Sequence, residues 1–326
     1  MVYSQKKRLL YQLFKIPAKL CLRLYVRHLK INNKKWLAAE GPLLLACNHP
    51  NSFLDAIIYC SLFNRPVYSL ARGDVFKNKI AGAILKSLNM LPVYRSSEGV
   101  ENLEHNYATF SACKEIFKQN GIVLIFSEGK CVNEWHLRPL KKGTARLALS
   151  SWDEGIPLKV LPTGINYNRF YSYDKNVQLH FGTIICKKDV EQTNGFGRSV
   201  TSFNNILQKK LQPLVYEITA NDVGKRKEIF DFKIPRWKKV LLAAPAVLGC
   251  IFHVPLYLPA LKTAKKLGKN NGHYDSILVA FLMLGYPFYV LMVMVLAYLF
   301  THNIYSLWLL LAMPLFAWSY LQIKKG

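Results

Sequence analysis

Along the first 30 positions the cationic residues recur on one helical line and the apolar ones on another. Lys15, Lys19, Arg23 and Arg27 repeat every fourth position, with Lys30 close to the same line. Leu10, Leu13, Phe14, Leu20, Cys21, Leu24 and Tyr25 fall opposite. The spacing predicts a basic amphipathic helix over 1–35, lying in the headgroup layer of a membrane or, more plainly, on the protein's own core. It does not read as a signal peptide, because no uninterrupted apolar core precedes a small-residue cleavage site. From about 36 to 232 the period changes. Short apolar runs at 43–47, 66–70, 122–126, 159–161 and 177–181 alternate with amphipathic stretches at 52–63, 77–89, 101–119, 140–152 and 198–215. That alternation predicts an α/β domain over 36–232, a mainly parallel sheet flanked by helices.

Further on the pattern becomes apolar all round. Residues 276–300 and 304–323 carry no charge, and each is long enough to cross a bilayer. They predict a transmembrane helical hairpin over 275–326. An earlier apolar run, 240–261, is interrupted by Pro245, Pro255 and Pro259. Basic residues lie before it (225–239), after it (262–269) and at Lys324 and Lys325, whereas the hairpin turn has no Lys or Arg. All of these basic segments fall on one side if 240–261 enters and leaves the same face. Residues 233–274 are therefore expected to form a basic, proline-broken interfacial or re-entrant segment, with the α/β domain on the cytoplasmic face.

Composition agrees with a membrane protein. Lys and Arg total 44 against 19 acidic residues, a formal charge of +25, and 51% of residues are hydrophobic. Such a surplus calls for polyanionic partners. Nucleic acid is not favoured, since no nucleic-acid motif is present and the basic residues track the apolar segments. The seven cysteines include no C-x-x-C pair, which argues against a zinc site and a disulfide framework.

Polar residues collect where strands feed helices, the usual place for chemistry in such sheets. His49 follows the run ending at Cys47, Arg72 follows 66–71, and Glu128 follows 122–126. Within ACNHPNSFLDA (46–56), Ser52 and Asp55 have the spacing of a helix cap. His49 and Asp55 also have the composition of a base and its orienting carboxylate. Six positions apart on one helix they would point away from each other, so they meet only if His49 sits in the loop before it. Capping and pairing are compatible.

Four blocks in order resemble the glycerolipid acyltransferase superfamily: HPNSFLD (49–55), ARGDVF continuing to LPVYR (71–76 and 91–95), IFSEGKCVNEWHLRPLKKGTARLAL (125–149) and VLPTGINY (160–167). The commonest family form has four residues between His and Asp. The five found here are similar to a branch that includes yeast-type glycerol-3-phosphate acyltransferases and bacterial proteins with C-terminal membrane segments. Ser127 stands where Pro is usual and Lys130-Cys131 where Thr-Arg is frequent, while the PLK-x-G stretch of that branch is matched by 139–143.

The resemblance implies acyl transfer from acyl-CoA or acyl carrier protein to the hydroxyl of glycerol-3-phosphate or lysophosphatidate, in phospholipid synthesis at a membrane. It implies His49 as general base oriented by Asp55, with no metal, no further cofactor and no covalent acyl-enzyme. Arg72 and Arg95 are the first candidates for the acceptor phosphate, since guanidinium grips phosphate through paired bonds. Lys141 and Arg138 are the second. Glu128 would bind an acceptor hydroxyl or hold one of these cations, and Gly129 would permit close backbone approach. Rival readings are lysophospholipid remodelling, an amine N-acyltransferase and a non-enzymatic basic membrane adaptor. A serine hydrolase is disfavoured because no G-x-S-x-G elbow surrounds Ser52 or Ser127.

Overall fold

The computed structural model describes residues 5–94, 105–190, 195–268 and 273–324. After helix α1 (Gln5–Tyr25) come strand β1 (Val26–Ile31), β2 (Leu43–Cys47), α2 (Ser52–Leu62), β3 (Val67–Arg72), α3 (Lys79–Ser87) and β4 (Met90–Val93). Then follow α4 (His105–Lys118), β5 (Ile122–Phe126), α5 (Lys142–Asp153), β6 (Lys159–Tyr167), β7 (Lys175–Phe181), α6 (Phe196–Leu211) and α7 (Val223–Phe230). The strands form one sheet in the order β1-β7-β6-β2-β5-β3-β4, parallel throughout except between β6 and β7.

Strand β2 reads LLLAC and is buried at every position, as a central parallel strand covered on both faces must be. Leu43, Leu45 and Cys47 join a core with Leu54 and Ile58 of α2, whereas Leu44 and Ala46 join Ala145 and Ala148 of α5 and Phe203 of α6. The alternation of strand side chains thus puts α2 on one face and α5 on the other.

The N-terminal helix is shorter than its periodicity predicts. It stops at Tyr25, and residues 26–31 pair with β7 as an edge strand. Arg27 and Lys30 therefore leave the basic helical line. The four-residue repeat runs by coincidence into VRHLKI, where pairing along β7 outweighs helix propensity. Helix α1 buries Tyr11, Cys21, Leu22 and Tyr25 against the protein and leaves Leu13, Ile16 and Leu20 exposed. Strand β4, not evident from the pattern, holds Pro92 at the sheet edge, where a missing N–H costs no ladder bond.

Three helices complete the chain: α8 (Arg236–Gly268), α9 (Tyr274–Thr301) and α10 (Leu309–Ile323). Helices α8 and α9 and the segment Ile304–Ile323 are long and apolar enough to cross a membrane, consistent with an integral membrane protein. The expected proline break is absent, for α8 runs as one helix through Pro245, Pro255 and Pro259. A helix packed against others tolerates the lost bonds as kinks instead of ending. Both ends of α8 lie against the α/β domain. Near its start Lys238 donates to Gln322 of α10, whose side chain donates to the carbonyl of Arg27 (3.3 and 3.1 Å). Near its end Ala260 and Ala264 are fully buried in the core that α2 shares.

Candidate active site

The helix after β2 covers one face of the sheet and the helix after β5 covers the other, so a crevice opens where these adjacent strands end. Pairing continues just past the strand ends. Ser127 N–H donates to the Cys47 carbonyl at 2.8 Å, and the Asn48 side chain exchanges two bonds with the backbone of Ile165 (3.0 and 2.8 Å). His49 and Glu128 consequently emerge side by side.

The His49 ring turns back over the start of α2, and its Nδ1 lies 2.9 Å from Asp55 Oδ2. The same oxygen accepts the N–H of Asn51 at 2.8 Å, and Oδ1 accepts the Tyr167 hydroxyl at 2.6 Å. Asp55 is fully buried. A carboxylate so surrounded is an acceptor for Nδ1–H, which leaves Nε2 with its lone pair free to take a proton. Phe126 stacks on the imidazole at 3.8 Å between centroids and 11° between planes, fixing the ring's tilt. Burial raises the Tyr167 phenol well above its ordinary range, and the adjacent Asp55 charge adds to this, so it stays a donor to Asp55.

Capping takes a different form from the expected one. Asn51, not Ser52, occupies the cap position, and Ser52 begins the helix with φ +49° in the left-handed region. Asp55 reaches back to the cap residue's own N–H, so one carboxylate both closes the helix start and holds the imidazole. Asn51 and Tyr167 were not singled out from sequence. A Tyr ending an otherwise apolar strand is the signal that marks the latter, because a buried hydroxyl needs a partner.

Glu128 is 4% exposed and spans two loops: Oε2 accepts the His49 N–H at 2.8 Å and Oε1 the Arg138 N–H at 3.0 Å. Burial raises its carboxyl above the ordinary value, while these two N–H groups and His49 oppose that rise. Only an acceptor at both oxygens fits. In Glu128→Gln the amide nitrogen must face a backbone donor, so a loss of about 1–3 kcal/mol is expected in thermal or denaturant unfolding. An unchanged midpoint would show that the clamp contributes nothing and would free Glu128 for an acceptor hydroxyl.

The cationic candidates separate. Lys141 is the cap residue before α5, its N–H donating to the Ser127 carbonyl at 2.8 Å, and its side chain passes over Gly129. A Cβ at Gly129 would come within 2.8 Å of Lys141 Cγ, and φ is +67° there, so glycine meets both demands. Arg138 lies on the Glu128 clamp with its guanidinium 3.6 Å from Glu134. Arg72 ends β3, one strand removed from β2. Strand β5 lies between its strand and β2, and its guanidinium pairs with Asp74. Arg95 lies outside the described residues. Among the described residues no three His, Cys, Asp or Glu side chains converge as a metal-ligand set.

Residues 28–166 match the Acyltransferase family model. A 120-residue stretch, 36% of the chain, is 28% identical to a 1-acyl-sn-glycerol-3-phosphate acyltransferase of Bacillus subtilis (strain 168). The match spans 55% of that relative's length. The crystal structure of the 1-acyl-sn-glycerophosphate acyltransferase of Thermotoga maritima aligns with a TM-score of 0.46 at 12% identity, over 72% of this chain and 86% of that one.

Proposed function

We propose, from the chain's membership of the glycerolipid acyltransferase superfamily, that it is a membrane-bound O-acyltransferase acting on glycerol-3-phosphate or lysophosphatidate. His49 Nε2 takes the proton of the acceptor hydroxyl as its oxygen attacks the thioester carbonyl of acyl-CoA or acyl carrier protein. The C–S bond then breaks, and the departing thiolate collects the proton from the imidazolium. Asp55 keeps the ring in the reactive tautomer and stabilises the imidazolium, and proton transfer to His49 contributes about 10²–10⁴ in rate. The supporting observation is the His49 Nδ1–Asp55 contact of 2.9 Å, with Asp55 held by Asn51 and Tyr167.

Lys141 and Arg138 flank the Glu128 loop beside His49 and are better placed for the acceptor phosphate than Arg72. Helix α8 packs along the apolar helix α9 through His253–Tyr286 and Phe252–Tyr289, and its basic flanks lie on the cytoplasmic side in this reading. Acyl transfer by membranes containing the protein is expected with a phosphorylated glycerol acceptor. Donors are acyl-CoA and acyl carrier protein, acceptors glycerol-3-phosphate, lysophosphatidate, a lysophospholipid and an amine, with products read by mass. Transfer to the lysophospholipid or the amine alone would replace this reading with remodelling or N-acylation. No transfer to any acceptor would favour a basic membrane adaptor.

A further inference from the structure

The loop that carries His49 is tied to a helix far along the chain. Asn51 donates its side-chain N–H to Asp275 Oδ2 at 2.7 Å, Ser52 Oγ lies 3.1 Å from His273 Nδ1, and Phe53 N–H donates to Ser276 Oγ at 3.3 Å. Three successive residues of the loop-to-helix turn thus meet the first turn of α9. The centre of this strap is buried. Asp275 is 1% exposed, takes the Tyr25 hydroxyl on Oδ1 at 2.6 Å, and pairs through Oδ2 with Lys175 Nζ at 2.7 Å.

Two considerations set this cluster apart from ordinary packing. A buried carboxylate–ammonium pair gives little net stability compared with apolar residues of the same volume, so stability alone does not account for it. The strap also closes on a strained point of the site, Ser52 at φ +49°. That turn aims the Asn51 N–H back at Asp55, which in turn orients His49.

We infer that Asp275 is a positioning residue for the base: through the Asn51 side chain it holds the His49–Asp55 pair in its reactive geometry, making the first turn of α9 part of the active site. The inference rests on the acyltransfer reading above. Asp275 touches neither substrate nor the reacting atoms.

The test uses the full-length protein in membranes. Asn51→Ala cuts the link and leaves the Lys175–Asp275 pair whole. Asp275→Ala made together with Lys175→Met cuts it from the other side and strands no charge. Each is expected to lower kcat by about 10- to 100-fold with KM unchanged, the scale of a small misplacement of reacting groups. Asp275→Asn with Lys175→Met keeps an acceptor for Asn51 and should recover most of the loss. Combining Asn51→Ala with Asp275→Ala and Lys175→Met should cost no more than the worse of the two, because both act on one link. Amide exchange over 49–55 should rise in the cut variants and fall back in the rescued one.

Losses that multiply in the combination, or no rescue by Asn, would make the effects structural and overturn the inference. So would an unchanged kcat in Asn51→Ala, which decides the question even if the Asp275 variants do not fold. Transfer by the wild type that the variants leave untouched overturns this inference alone. Absence of transfer by the wild type overturns the acyltransfer reading and this inference with it.

Discussion

His49→Ala is expected to slow acyl transfer by about 10²–10⁴ while the protein stays folded and its KM for the acceptor is unchanged. Removing the ring deletes the proton acceptor but keeps most of what surrounds it. Asp55 retains the Asn51 N–H and the Tyr167 hydroxyl, and Glu128 retains the backbone N–H of residue 49. The variant therefore separates chemistry from architecture. Measured as product per folded protein in the same membranes, transfer equal to wild type would exclude His49 as the base. A rise in KM at constant kcat would assign it to binding instead.

Asp55→Asn should behave differently from the same change in a dyad whose carboxylate is held less tightly. The position of Oδ2 faces two donors, Nδ1–H of His49 and N–H of Asn51, so the amide oxygen must settle there. The amide NH₂ then faces Tyr167, whose hydroxyl can rotate from donor to acceptor. The tautomer survives and the charge is lost. We expect kcat to fall by about 10²–10³, with a smaller fall in stability than for Asp55→Ala, which strands a buried N–H. The two variants should then have unfolding midpoints ordered wild type, Asn, Ala. Equal midpoints for Asn and Ala would mean that the amide does not adopt this arrangement. A kcat for Asn equal to wild type would mean that the charge on Asp55 is not used.

What the sequence revealed follows from how local each feature is. Strand β2 and strand β5 were plain, because buried parallel strands are continuous apolar runs and need no partner to be recognised. The meeting of His49 and Asp55 was accessible too, since it depends only on a loop and one helical turn. Strand β1 was hidden because its pairing with β7 lies far away in sequence, and its charges continued the phase of the helix before it. The distance of Arg72 from the strand of His49 was hidden for a similar reason. Arg72 does follow a strand, but the order of strands, which the chain's linear pattern does not encode, sets β5 between it and His49. Tyr167 and Asp275 act through single hydrogen bonds across 112 and 224 residues, and no spacing rule reaches that far.

The strap between the loop and α9 also fixes when the site comes into being. Tyr25 and Asp275 are 250 residues apart, and Asn51 and Asp275 are 224 apart. At ~5–20 residues per second a ribosome has exposed His49 for roughly 10–45 s before Asp275 follows it. During that interval the α/β domain can collapse, and the turn at Ser52 has only the ties inside that domain, such as the Ser52 N–H to Cys131 Sγ contact at 2.9 Å, until α9 adds its own. Arrival of α9 thus becomes the last step in shaping the turn that carries His49.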